Sequence, residues 1–289
     1  MPLLQSAAPS TLAAALLQRV LDNISDINST PYTLIDFCSG AGGPVPSIEK
    51  AVNASRQRKG QTPIQFRLSD IEPNLDAWIE AASRSEYLSF IPQPVDAATP
   101  PPSAISVSSS LSSPSAASLS EMEKREGAEA HARTKMVHLF CLSFHHFDDG
   151  VAKKVLRNML TNSDAFVILE LQDRSLGCVL MLSMEWLLLL LVTVFWFWND
   201  VSHLALTYCV PVLPFVHTWD GIVSCLRTRT TEELSRLVDQ VIWEEKRRGR
   251  DGQGHGVEDW TISSVRQRHT WPFGYMNAFI GIRNDCRRE

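Results

Sequence analysis

From Leu176 to Trp198 the chain runs 23 residues in which only Gly177, Ser183, Glu185 and Thr193 interrupt apolar side chains. As a helix this stretch rises about 34 Å, enough to cross a bilayer core of ~30 Å. A weaker apolar stretch, Val201–Trp219, comes next and is broken by Pro211 and Pro214. Trp186, Trp196, Trp198 and Trp219 suit a membrane interface, whereas the Glu185 carboxylate is costly in lipid. Three readings stay open: a span or pair of spans, an in-plane or re-entrant hairpin, and a hydrophobic lobe of a soluble protein. The C-terminal part of the chain constrains all three. Trp260–Val265 and Tyr275–Ile282 read as two strands. If they close a sheet begun before residue 176, a single crossing would put parts of one sheet on opposite sides of a membrane. Both ends of the apolar stretch must then lie on one side.

The earlier chain has the pattern of such a sheet. Tyr32–Phe37, Gln65–Leu68, Met136–Leu142 and Phe166–Leu171 are short strand-like runs. Helices are expected from about Pro44 to Arg56, over Pro73–Ser83 with Pro73 in the first turn, and over Asp148–Leu160. Strands alternating with helices imply a parallel α/β sheet. Before it, residues 10–27 read as a helix capped by Ser10, with Leu12, Leu16, Val20 and Ile24 on one stripe beside Leu17 and Leu21. After the apolar region, Thr230–Arg247 is an amphipathic helix and Arg248–Gly256 a polar loop. Residues 98–134 differ in kind. Ser and Pro fill 14 of the 23 positions 98–120, and 8 of the 15 residues 121–135 are charged. Such a stretch buries too little apolar surface to offset its ordering entropy, so it reads as a flexible insertion within the domain.

Charge and cysteines exclude some classes. Lys and Arg number 27 against 32 Asp and Glu, a net charge of −5, so no basic excess exists for nucleic-acid binding. Cys38, Cys141, Cys178, Cys209, Cys225 and Cys286 show neither CxxC nor Cys/His zinc spacing. They read as reduced thiols, with no metal expected. No basic residue precedes the first apolar run, so no secretory signal is expected.

The sharpest local signal is Ile35-Asp36-Phe37-Cys38-Ser39-Gly40-Ala41-Gly42-Gly43, a strand running into a glycine-rich loop and a helix. Glycine permits the tight turn and close backbone approach to a ligand, and the helix offers free N–H groups. A nicotinamide-dinucleotide fingerprint needs a glycine where Val45 stands, which weakens an oxidoreductase reading. The loop instead resembles motif I of class I S-adenosylmethionine-dependent methyltransferases, D-x-G-x-G-x-G, with Gly40 and Gly42 matching its last two glycines and Cys38 replacing its first. Further landmarks come in that family's order. Asp70, in Arg67-Leu68-Ser69-Asp70, resembles the carboxylate that accepts from the cofactor's ribose hydroxyls; a helix cap is the alternative. Asp96-Ala97 resembles the pair beside the adenine. Leu142-Ser143-Phe144-His145-His146-Phe147 resembles the strand-four ending of the ubiquinone and menaquinone methyltransferase branch, and Phe166–Glu170 resembles strand five. The segment Trp219–Thr228 resembles a little-described subgroup that also carries a long apolar stretch before it.

The resemblance covers roughly 30–283 and implies a doubly wound, mostly parallel seven-stranded sheet with a hydrophobic helical lobe after strand five. The implied organisation is an N-terminal helix over 1–30 and a methyltransferase-like domain over 31–289, with the insertion at 98–134 and the lobe at 176–219. S-adenosyl-L-methionine is the implied cofactor, with Asp36, Cys38, Gly40, Gly42, Asp70, Asp96, Ala97 and Ser143 as its candidate contacts. His145 and His146 are candidate catalytic groups, since a histidine at a strand end can take a proton from an acceptor; the alternative is that one packs and bonds a carbonyl. Glu170, Asp173 and Arg174 are lesser crevice candidates, and Asp220 and Arg227 either orient substrate or pair with each other, the pairing being favoured. The apolar lobe suggests a small lipophilic acceptor, and a membrane location with the catalytic domain facing the cytoplasm, or else a cytoplasmic one. A non-catalytic membrane protein with a degenerate nucleotide-binding fold is the competing reading.

Overall fold

A computed structural model describes residues 7–102, 135–250 and 260–287. Most of the expected insertion, 103–134, and the loop residues 251–259 lie outside the described residues.

Seven strands form one sheet in the order β3-β2-β1-β4-β5-β7-β6. These are β1 Tyr32–Phe37, β2 Gln65–Ser69, β3 Leu88–Phe90, β4 Lys135–Cys141, β5 Ala165–Glu170, β6 Trp260–Thr270 and β7 Gly274–Arg283. The first five run parallel; β7 enters antiparallel to β5, and β6 pairs antiparallel with β7. This is the mostly parallel, seven-stranded doubly wound sheet expected. The chain order reverses between β1 and β4, and ligands of open α/β sheets bind outside the carboxyl ends of the strands at such a point.

Period-2 alternation sends the strand side chains to two cores. On one face Leu34, Phe66, Leu68, Val137 and Val167 pack under α1 (Pro9–Asp22), α2 (Val45–Arg58) and α3 (Leu75–Ala82). On the other, Ile35, Phe37, Phe140 and Ile168 pack under α4 (Asp149–Asn162) and, through Leu234, Val238 and Val241, a long C-terminal helix. The α1 stripe Leu16, Leu17, Val20 and Leu21 is buried in the first core. Gly281 on β7 admits the Phe166 ring of β5; any Cβ there would overlap the ring.

Several local expectations change. Ser10 lies inside α1, which starts after Ala8 with no side-chain cap; Pro9, lacking an N–H, opens the helix instead. The helix stops at Asp22, and Ile24 is buried beyond its end, in a bridge to Arg287. Pro73 stays outside α3, because Asn74 caps it by accepting from the Ala77 N–H at 3.3 Å.

The apolar stretch forms a helical hairpin. Helix α5 (Leu176–Trp196) leads to the short α6 (Val201–Leu204), a π-turn at Ala205–Cys209 and α7 (Val212–Arg227); α8 (Thr231–Arg250) then returns to the domain and extends past the expected loop start. The α6–π-turn segment meets α7 at a 70° bend. Contacts down the hairpin show α5 and α7 antiparallel: Cys178 with Cys225, Glu185 with His217, and near the tip the Tyr208 hydroxyl donating to the Leu190 carbonyl. Both ends of the hairpin therefore meet the domain at the same place. Helix α5 has a mean hydropathy of 2.4 over its most apolar window, only 11% of which is buried. Leu176, Leu191, Phe195, Trp196 and Trp198 are exposed.

Candidate functional site

The β1–α2 loop is built on left-handed backbone. Gly40 and Gly42 have φ of 52° and 96°, and Cys38 has φ of 60°. The cysteine thus adopts the conformation that the replaced glycine would favour, at a cost of order 1–2 kcal/mol for a side-chain-bearing residue. Hydrogen bonds hold the loop against β2 and α3, among them one from the Ser69 N–H to the Ser39 hydroxyl at 3.2 Å. The Gly40 N–H donates to Asp70 Oδ2 at 2.7 Å, the Trp78 Nε1–H to the Gly40 carbonyl at 2.8 Å, and the Ser39 N–H to the Ser69 carbonyl at 3.0 Å. Asp70 also accepts from the Glu72 N–H at 3.0 Å. It caps no helix, since Asn74 does that for α3. The Asp70 carbonyl takes the Val95 N–H at 2.8 Å, which places Asp96 in the same neighbourhood.

Asp96 accepts from the Ala98 N–H at 2.8 Å and the Thr99 hydroxyl at 2.9 Å. The Ala97 carbonyl accepts from Asn158 Nδ2 at 3.1 Å, which anchors that loop on α4. Ser143 is buried at the end of β4, its hydroxyl donating to the Phe37 carbonyl at 3.4 Å.

Electrostatics tie these residues together. Burial, then the carboxylates of Asp70, Asp36 and Asp96, push the Cys38 thiol up to about 12. The charges of three carboxyl groups thus act on the loop's one non-glycine residue with left-handed backbone. Asp36 itself is pushed up to about 8 by burial, against the Ser39 hydroxyl, which donates to it at 2.6 Å, and the nearby Cys141 amide. Its other oxygen, Oδ1, has no partner of hydrogen-bond geometry among the described residues. A Cβ placed on Gly40 would meet no atom within 4 Å. An open left-handed backbone turn with the Asp70 carboxylate on the Gly40 N–H fits a ligand that approaches the main chain closely and carries hydroxyl groups.

The strand-four ending forms a second cluster. His145 is buried; its Nδ1 lies 2.9 Å from Glu170 Oε2, and its backbone N–H donates to Oε1 of the same carboxylate at 3.1 Å. So His145 bonds a carboxylate at the end of β5, not a carbonyl. His146 is exposed, with its ring centroid 4.2 Å from that of His145. Its pKa is lowered by desolvation, by His145 and by Arg227, against the opposite pull of Glu170 and Asp220. A lowered pKa keeps the imidazole neutral, as a proton acceptor must be.

Arg227 was expected to pair with Asp220. It donates instead to the carbonyls of His145 (3.2 Å) and His146 (2.7 Å), so the last turn of α7 fixes the histidine loop. Asp173 and Arg174 leave the crevice for surface ion pairs with Arg266 (2.7 Å) and Glu233 (2.8 Å). Glu185 pairs with His217 at 3.8 Å inside the hairpin. Sequence reasoning missed Trp78 and Ser39; a tryptophan on a short helix directly after an acidic strand end was the available signal for the first. A surface depression between α2 and α3, lined by Lys50, Glu80 and Arg84, lies on the helical flank and touches none of the candidate residues.

No family model and no curated protein sequence matches the chain. Among solved structures it is similar to the methyltransferase domain of bacterial CtHen1 (8% identity over 94% of this chain and 97% of the other, TM-score 0.46). It is also similar to the plantazolicin methyltransferase BpumL, solved with SAH (13%, 96% and 85%, 0.45). A third is the N-methyltransferase NodS from Bradyrhizobium japonicum WM9, solved with S-adenosyl-L-homocysteine (7%, 96% and 90%, 0.43).

Proposed function

We propose that the chain is an S-adenosylmethionine-dependent methyltransferase acting on a small, lipophilic or membrane-accessible acceptor. The observation that carries this reading is the left-handed turn of Cys38, Gly40 and Gly42 at the carboxyl end of β1, with the Asp70 carboxylate on the Gly40 N–H and the Asp96 loop tied to the Asp70 carbonyl through Val95. Asp36 and the Gly40 cradle would face the cofactor's amino-acid end, Asp70 its ribose hydroxyls, and Asp96 with Ala97 its adenine. Bound there, the sulfonium supplies an electrophilic methyl group, and the protein's part is alignment and exclusion of water. His146, neutral and exposed beside the crevice, is the group placed to take a proton from the acceptor. Glu170 and Arg227 position the loop that carries it.

The apolar hairpin supports a bilayer as the place where the acceptor is met. Exposed Leu176, Leu191, Phe195, Trp196 and Trp198 form a surface that water wets poorly, and the lobe's two ends stand together beside His145 and His146. We assign the catalytic domain to the cytoplasmic side. Protease protection on sealed vesicles tests this: residues near 150 and 260 must be cleaved from the same side, and release of the protein by carbonate would refute membrane association.

Calorimetric titration with S-adenosylhomocysteine and with NADH decides the cofactor. Binding of the first alone is expected. Binding of neither would overturn the catalytic reading in favour of a non-catalytic protein with a degenerate site; binding of NADH alone would make it an oxidoreductase.

A further inference from the structure

The first turn of α5 and the last turn of α7 each present a cysteine to the other. Cys178 and Cys225 are 2% and 0% exposed, and their sulfurs stand 3.0 Å apart. A covalent S–S bond needs about 2.05 Å, so closing it takes a movement of about 1 Å, within reach of side-chain rotation. Of the other cysteines, Cys209 is exposed and sits near the opposite, tip end of the hairpin. We propose that Cys178 and Cys225 are a redox-active dithiol that closes to a disulfide under peroxide and staples the base of the apolar hairpin.

The two thiols are not equivalent. Cys178 lies in the first turn of α5, where Ser175 Oγ caps its N–H at 3.1 Å and the positive helix end favours a thiolate. Cys225 lies in the last turn of α7, where the helix end disfavours one. Cys178 is therefore the attacking sulfur. Its thiolate attacks one peroxide oxygen: an S–O bond forms, the O–O bond breaks, and the departing hydroxide takes up the Cys178 proton as water. The Cys225 sulfur then attacks the Cys178 sulfur: the S–S bond forms, the S–O bond breaks, and the second hydroxide leaves as water with the Cys225 proton. Two thiols and one peroxide give one disulfide and two waters. Leu176, two residues before the attacking sulfur, is 84% exposed, so opening of one helical turn admits a small oxidant.

The staple has a consequence at the loop. Arg227, two residues past Cys225, holds the carbonyls of His145 and His146. Oxidation ties that turn covalently to the start of α5, just after the β5 strand that carries Glu170.

The test uses the full chain in lipid or detergent, treated with stoichiometric hydrogen peroxide, alkylated and cut after glutamate. Cys178 then falls in fragment 171–185 and Cys225 in fragment 186–232, which also holds Cys209. The expected product is the two fragments joined, two hydrogens lighter than their sum. The join should persist in Cys209→Ser and vanish in Cys178→Ser. Separate alkylation of Cys178 and Cys225 after oxidation would overturn the proposal, as would loss of the join in Cys209→Ser. The Cys209→Ser result decides the matter even if Cys178→Ser fails to fold. Because the readout is a covalent mass, it stands apart from cofactor binding.

Discussion

Asp36→Asn should change how stability depends on pH, and it should do so in a defined window. In the unfolded chain this carboxyl titrates near 3.9; in the folded protein burial raises it to about 8. Between those values the unfolded chain has released its proton and the native protein still holds one. Stability contributed by this group is therefore fully present below about pH 4 and declines as pH rises toward 8. The slope is at most about 1.4 kcal/mol per pH unit, and over the window it sums to several kcal/mol. Asparagine mimics the protonated acid and can still accept the Ser39 hydroxyl bond. Urea unfolding of both proteins at pH 5, 6.5 and 8 should give curves that diverge with pH, with the variant gaining relative to the parent. A constant offset reflects only the fit of the amide; the divergence reflects the buried charge. Parallel curves would refute the reasoning and mean that water reaches Asp36 in the folded protein.

Asp70→Asn should weaken S-adenosylhomocysteine binding by about 1.5–3 kcal/mol, the loss of charge-assisted hydrogen bonds, read by calorimetry; an unchanged dissociation constant would leave Asp70 as only a tether for Gly40. Gly40→Asn tests the cradle with little backbone strain, because asparagine tolerates positive φ. Its side chain would enter space that holds no atom within 4 Å, so binding should be lost with the melting temperature nearly kept. Replacing 103–134 with a short Gly/Ser linker should leave both nearly intact, since loop-closure entropy changes slowly with length; the splice keeps Thr99, which donates to Asp96, and Lys135, which pairs with Asp26 at 2.7 Å.

The parallel core was legible because β1, β4 and β5 are buried on both faces and read as mostly apolar runs; β1 matches the expected Tyr32–Phe37 residue for residue. Strand β3 was not legible. Three residues carry no periodicity, and Leu88–Phe90 is a strand only because β2 offers it a parallel edge. β6 runs on to Thr270, past the expected Val265, because β7 supplies partners for Arg266, Gln267 and Arg268 whatever their polarity. At the site, residue identity could be read but not partnership. A sequence shows a carboxylate and an arginine near an apolar lobe; it does not show that Arg227 will find two carbonyls 81 and 82 residues away before it finds Asp220.

That bond also bears on why the lobe stands where it does. β5 must be followed by a connection to β6, the edge strand beyond β7 that runs parallel to β5, and α8 alone would make that connection. The chain first goes out along α5 and back along α7, and it returns through a turn that touches the histidine loop. A lobe that served only to anchor the protein could sit at either terminus with no effect on the sheet. Placed between β5 and β6 in the chain, its base is fixed by the sheet on one side and by His145 and His146 on the other. Any change in how the hairpin packs on a surface must then be felt at Arg227. Under the proposed reading, contact with lipid and the arrangement of the proton acceptor are one mechanical unit. Arg227→Gln would separate them: the hairpin would still bind vesicles, while the His146 ring would lose a neighbouring cation that lowers its pKa. The imidazole should therefore titrate at higher pH by NMR in the variant. An unmoved titration would show that the lobe and the loop are independent.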